Sequence, residues 1–162
     1  MARGAYIVPA TNITLANQAV TLVFVNPGTT ASLSFRRAWA SQAANATSAQ
    51  QRVQLSTQVT AFPTLVSQAP VTTALLDAAS VITGGTAGAA GTSGINASAE
   101  GAGSKTVRYP DAFNVLNGWL WVPTPDEVIQ MSAGGSAGLG LHFPAAPTTL
   151  TNWNAGLLFV EQ

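Results

Sequence analysis

Few residues in this chain could carry acid–base or metal chemistry. His142 is the only histidine, and no carboxylate or cysteine lies close to it in sequence. A general base or a metal ligand needs partners within reach, so a lone histidine predicts a structural or surface role. Asp126 and Glu127 form the only adjacent acidic pair, but neighbours on a strand point to opposite faces. The flanking prolines 123 and 125 favour a turn there instead.

Motifs of nucleophilic and nucleotide chemistry are also missing from the sequence. There is no cysteine, which excludes a disulfide scaffold, a thiolate metal site and a cysteine nucleophile. No glycine-rich phosphate loop with a lysine follows a strand, and no serine has the Gly-x-Ser-x-Gly setting of a hydrolase nucleophile. We therefore expect a protein that is not an enzyme and that needs no cofactor and no metal.

The tryptophans are the side chains best suited to binding. They are Trp39, Trp119, Trp121 and Trp153. Trp119 and Trp121 are two residues apart, so on a strand they share one face and form either a core wall or an exposed platform for a sugar. Because tryptophan is mostly buried and half-enclosed rings are favoured at protein interfaces, core or subunit contact is the preferred interpretation. Trp153 lies in a polar stretch, and we predict it to be the tryptophan at an interface.

Charged residues are scarce, which bears on the choice of partner. Six Lys or Arg and six Asp or Glu make up 7% of the chain, where soluble domains average roughly 25%. With a net charge near zero, little repulsion keeps copies of the chain apart. The only adjacent basic pair is Arg36 and Arg37, which on a strand would point apart, so no phosphate-binding patch and no nucleic-acid partner are expected. The candidate interface residues are Trp153, Trp119, Trp121, Tyr6 and Arg36.

Hydrophobic alternation with a period of two dominates the chain. Leu33, Phe35, Arg37 and Trp39 fall on one side of a predicted strand, and the stretch 53–59 repeats the pattern. Further strands are predicted in the ranges 5–8, 19–25, 64–67, 105–109, 119–122, 128–131, 139–143 and 156–160. Short strands separated by Gly and Pro turns predict an all-β sandwich, barrel or jelly roll. We see one domain, residues 1–162.

Four other segments are less regular. Residues 40–51 and 71–82 could be helical, although the first lacks an apolar stripe and suits a polar loop or edge strand as well. Residues 83–104 are rich in Gly, Ala and Ser, which predicts a long flexible loop. Residues 1–18 form an N-terminal arm or a first strand. We expect the segments 5–9 and 83–104 to act as arms that pack on neighbouring subunits. No secretory signal pattern and no membrane-length apolar run is present, so no membrane association is expected.

The C-terminal part, from about residue 62 onward, resembles a known class. The resemblance rests on the order of Phe113-Asn114-Val115, Gly118-Trp119, Pro123, Pro125-Asp126-Glu127-Val128, an alternating strand, and Gly156-Leu157-Leu158-Phe159-Val160-Glu161. This pattern resembles the jelly-roll cement or decoration proteins of tailed bacteriophage heads.

The resemblance implies a structural role in a virion. Such a subunit would be made in the host cytoplasm, form a homo-oligomer, namely a trimer, and bind the major capsid protein at capsomer junctions on the capsid surface. Many small contacts would add up through multivalency. The alternative is a carbohydrate- or receptor-binding jelly-roll module of a phage fibre or tail, which would require Trp119 and Trp121 to be exposed beside polar groups.

Overall fold

The computed structural model describes residues 4–17, 19–29, 31–44, 47–74, 77–134 and 136–162, and these form two β-sheets packed face to face. The strands are β1 (Gly4–Ile13), β2 (Thr21–Val25), β3 (Leu33–Gln42), β4 (Gln50–Val59), β5 (Thr64–Ser67), β6 (Val71–Thr72), β7 (Thr83–Gly84), β8 (Thr92–Ala99), β9 (Ser104–Asn114), β10 (Trp119–Trp121), β11 (Ile129–Met131), β12 (Ala137–His142) and β13 (Trp153–Glu161). A single 3-10 turn, Pro125–Glu127, lies between β10 and β11. The predicted all-β sandwich is confirmed.

The strands pair in a nested order. Sheet I has the order β10-β3-β13-β1-β6, with β11 also on β3, and sheet II has the order β5-β8-β2-β12-β4-β9, with β7 on β8. Thus β4 pairs with β9, β3 with β10 and β11, β2 with β12, and β1 with β13. All of these pairs are antiparallel, and the short pair of β7 and β8 is parallel. Early strands therefore pair with late ones.

The inner faces of the two sheets share one apolar core. Tyr6, Phe35 and Phe159 stack across neighbouring strands of sheet I, with ring centroids 5.8 to 5.9 Å apart. Val53 and Leu139 face them from sheet II and are fully buried. Alternation of this kind places every second side chain inward, as the period-two pattern predicts.

A β-bulge in β3 changes which side chains face the core. Phe159 lies opposite Phe35, but the next pair is Leu158 with Arg37, so Arg36 is the extra residue. The predicted face of Leu33, Phe35, Arg37 and Trp39 is therefore wrong beyond residue 35. A bulge reverses the alternation and re-aims the side chains that follow. As a result Arg36 and Arg37 are both exposed, although simple alternation would point them apart.

Half of the segment 83–104 is strand, which corrects the predicted flexible loop. It contains β7, β8 and the start of β9, and β8 lies between β2 and β5. Its glycines serve close packing: a Cβ at Gly94 would lie 2.6 Å from the Leu65 Cβ, and one at Gly103 would lie 1.8 Å from the Thr60 carbonyl oxygen. A composition that makes a free chain flexible also allows backbones to touch.

Two further expectations change with the structure. The segment 5–9 belongs to β1 and pairs with β13 on one side and β6 on the other, so it is a first strand and not a free arm. Neither of the ranges considered as helical contains a helix in its described residues: residues 40–42 end β3, residues 50 and 51 begin β4, and residues 71–72 form β6. Residues 45–46 and 75–76 of these ranges lie outside the described residues.

We expect Gly103→Ala to destabilise the protein by about 2 kcal/mol or more, because the added methyl group overlaps backbone that cannot move freely. Gly28→Ala is the matched control, since its Cβ would meet the nearest atom at 3.5 Å, an ordinary contact. It should change the free energy of unfolding by less than about 1 kcal/mol. Urea unfolding followed by tryptophan fluorescence measures both. Equal stabilities would mean that residues 101–104 are not packed as described.

Candidate functional site

The outer face of sheet II is covered by the chain itself. The Phe24 ring lies over β12, where a Cβ at Gly138 would be 2.2 Å from it. Phe62 packs on Phe24 with ring centroids 5.8 Å apart, and Leu65 and Ala97 complete a second small apolar cluster. This face therefore presents little apolar surface to a partner.

The outer face of sheet I is not covered in this way. Six apolar side chains lie side by side on β6, β1 and β13, and we call this surface the open face. Its residues are Val71, Ala5, Ile7, Pro9, Leu158 and Val160. Ile7 lies opposite both Val71 and Leu158, and Ala5 lies opposite Val160, so the side chains form contiguous rows. None of the six belongs to either apolar cluster of the described residues.

A small depression adjoins the open face at the β3–β10 margin of sheet I, and we call it the Trp39 depression. Its volume is about 200 Å³, and it is lined by Trp39, Ala40, Ser41, Asn117, Gly118, Trp119 and Leu120. The Trp39 ring lies over Gly156, its neighbour on β13, where a Cβ would be only 2.1 Å from the ring. Because Gly156 has no side chain, the half-buried indole of Trp39 can lie on β13.

Two positive charges lie beside these surfaces. Arg36 and Arg37 follow from the bulge in β3, and Arg37 is opposite Leu158 of the open face. Among the residues that the structure describes, neither arginine has a carboxylate oxygen within 4.0 Å. Such side chains can pair with carboxylates of a partner, and guanidinium groups make bidentate pairs well.

Four of the five candidate interface residues are buried in the chain: Tyr6, Trp119, Trp121 and Trp153. Trp153 packs on Phe143 at 4.8 Å between ring centroids, and its indole N–H donates to the Thr149 carbonyl oxygen at 2.9 Å. Tyr6 and Trp153 have no exposed surface and Trp119 and Trp121 keep only 7% and 5%, so Arg36 is the one of the five that is exposed in this conformation. Trp153 was predicted to lie at an interface because its neighbours in sequence are polar. It is the first residue of β13, and its side chain faces the core.

The structure brings His142 together with two residues that sequence reasoning did not connect with it. Glu100 and Lys105 form an ion pair and share a surface depression with His142. One Glu100 oxygen accepts the backbone N–H groups of Val20 and Thr21 at 2.6 and 2.7 Å, and the other accepts the Thr21 hydroxyl at 2.6 Å. Glu100 thus fastens the segment before β9 to the start of β2.

The electrostatics of this cluster indicate a structural role. The pKa of His142 is lowered to about 4, mainly because the side chain is buried. The nearby charge of Lys105 also lowers this pKa, and its effect is larger than the opposite effect of Glu100. Burial also raises the pKa of Glu100, but hydrogen bonds from Lys105 and Thr21 outweigh it, so the net shift is downward. At neutral pH an ion pair therefore lies beside an uncharged histidine. In the described structure no hydrogen bond joins His142 to either partner, so the cluster lacks the geometry of a relayed general base.

The described ranges offer no other chemistry of this kind. They contain no group of three or more His, Cys, Asp or Glu side chains that could hold a metal ion. Within the same residues, no helix combines the length and the apolar character needed to cross a membrane. Comparisons of the chain with protein-family models, with curated proteins and with solved structures found no match.

Acidification should destabilise the fold through His142. Its pKa is about 4 when folded and 6.5 when exposed, so the unfolded chain binds more protons between these values. The stability present above pH 6.5 is therefore lost as the pH falls towards 4, by about 3 kcal/mol at 1.36 kcal/mol per pKa unit. Urea unfolding between pH 7.5 and 4.5 measures this loss. In His142→Gln the free energy of unfolding should depend much less on pH over this range. An unchanged pH dependence would contradict a buried, neutral His142.

Proposed function

We propose that this protein is a structural subunit that binds other protein surfaces through the open face. The observation that carries the proposal is the row of apolar side chains on the outside of sheet I. An antiparallel sheet with one solvated face normally carries polar side chains there. Contiguous apolar patches on a soluble domain mark interaction sites, so we assign the open face to a protein partner.

The scarcity of charge supports the same role. Hydroxyl and amide groups cost far less to remove from water than charges do, and only 7% of the residues are charged. A partner can therefore cover the rim of the open face without burying many ions. The exposed charges next to it, Arg36 and Arg37, favour a partner that supplies carboxylates.

The more specific role that we propose is a cement or decoration subunit on a bacteriophage head. The nested strand order supports it, because pairing of β1 to β4 with β13, β12, β10/β11 and β9 is compatible with a jelly-roll connection. The resemblance of the C-terminal part to jelly-roll head proteins points the same way. On this proposal the partner is the major capsid protein, the subunit forms a homo-oligomer, for which the resemblance implies a trimer, and its location is the capsid surface.

The alternative of a carbohydrate-binding module loses the two residues on which it depended. Trp119 and Trp121 face the core, and Tyr109 packs against both, with ring centroids 6.5 and 6.0 Å away. They therefore cannot form a sugar platform. Any platform on this sheet must use Trp39 instead.

We expect Val71→Asp to reduce incorporation into particles at least tenfold, because it places a charge in the apolar contact. Val66→Asp is a matched control: Val66 is 54% exposed and Val71 53%, and each lies on a short strand, but Val66 is on sheet II. Each variant is expressed with the genes that flank this one, and its copies per density-purified particle are counted by mass spectrometry.

The wild type and Val66→Asp should be present in the particle fraction in similar numbers. Equal incorporation of both variants would contradict a contact through the open face. Absence of the wild-type protein from purified particles would contradict the role in a virion.

A further inference from the structure

The Trp39 depression combines an aromatic surface with polar groups that make no hydrogen bond to the described residues. The indole lies against the backbone of Gly156, and Trp39 is partly exposed. Within the described residues, no hydrogen bond is made by the Trp39 indole N–H, the Ser41 hydroxyl or the Asn117 side-chain amide. A purely apolar partner would bury these groups unpaired, which is unfavourable.

The polar side chains of Ser41 and Asn117 are attached to ordered backbone. Ser41 lies on β3 opposite Asn154 of β13. Asn117 lies in the turn before β10, where its backbone N–H donates to the Asn114 carbonyl oxygen at 2.9 Å. Gly118 follows with a φ of 70°, a left-handed conformation that favours glycine. The amide of Asn117 is thus held beside the indole by a tight turn, which reduces the entropy lost when a ligand binds.

The lining also fixes the charge of the ligand. Among the described residues no charged side chain lines the depression itself, so an anionic sugar, a nucleotide or a phosphate would find no ion pair within it, and Arg37, two residues along β3, lies outside the lining. The ligand must offer a flat apolar side to the indole and hydroxyl groups to the serine and the amide. A pyranose ring has both, because its axial C–H bonds form an apolar face and its hydroxyl groups surround the rim.

We propose that the Trp39 depression binds one neutral hexopyranose residue of a polysaccharide. The ring stacks on Trp39, and hydroxyl groups on one edge bond with Ser41 and Asn117, which can both donate and accept. The volume of about 200 Å³ suits a single sugar ring. This site goes beyond the proposed assembly role and does not depend on it.

The protein offers a selective reporter for the test. Trp39 is half-buried, whereas Trp119, Trp121 and Trp153 are buried. With 5-fluorotryptophan incorporated, the 19F resonance of Trp39 is therefore the one most exposed to an added sugar. The probes are the methyl glycosides of glucose, galactose, mannose and N-acetylglucosamine. For a single ring we expect a Kd on the order of 1 mM with at least one probe.

Two variants locate the binding. Trp39→Ala assigns the reporter, because the resonance that it removes is that of Trp39, and Asn117→Ala, an exposed turn residue, should weaken binding at least tenfold without changing the fold. Leu116→Ala is the control, because Leu116 is exposed in the same turn but does not line the depression. The proposal is overturned if no probe shifts the Trp39 resonance at about 50 times the expected Kd. It is also overturned if Asn117→Ala binds as well as the wild type, or if the resonance shifts with protein concentration alone, which would mean that a second copy covers Trp39.

Discussion

Burial of apolar side chains holds the sandwich together. On three of the four faces of the two sheets these side chains are buried against one another. The two inner faces close on the core around Phe35 and Phe159. The outer face of sheet II is closed by Phe24, which lies over the glycines of β12, and by Phe62, which packs on Phe24. At about 25 cal/mol per Å² of apolar surface, such burial is the main favourable contribution to folding. The fourth face, the outside of sheet I, is apolar as well but has no cover from the described chain.

The acidic residues inside the structure serve this arrangement. Glu161 accepts hydrogen bonds from the Ser80 hydroxyl and the Val81 backbone N–H, and so fastens an irregular segment to the end of β13. Glu100 does the same for the segment that leads into β9. Because carboxylates that are removed from water must be hydrogen-bonded, each one fixes the path of the irregular segment that it joins to a strand. The surface left outside is then rich in small and amide side chains.

The local hydrophobic pattern was enough to predict the strands, but not their register or their contacts with other strands. Alternating residues around Val53 and Leu139 revealed the sheet, since the period-two pattern of a strand with one buried face can be read from neighbouring residues alone. The bulge at Arg36 could not be predicted, because it depends on the register with β13. The order of residues 83–104 depends on contacts with β2 and β5, so its composition was misleading. The cluster of Glu100, Lys105 and His142 joins distant parts of the chain, and no spacing rule would have found it.

We place the function of this protein on the open face, an apolar surface on the outside of sheet I. Hydroxyl-radical footprinting of the isolated protein and of the same protein in assembled particles tests this most directly, because it reads the solvent access of individual side chains. We expect oxidation of Ile7, Pro9 and Leu158 to fall strongly on assembly, while oxidation of Leu116 and Val107 stays the same. Unchanged oxidation of the open face, with protection confined to β9 or to sheet II, would contradict it.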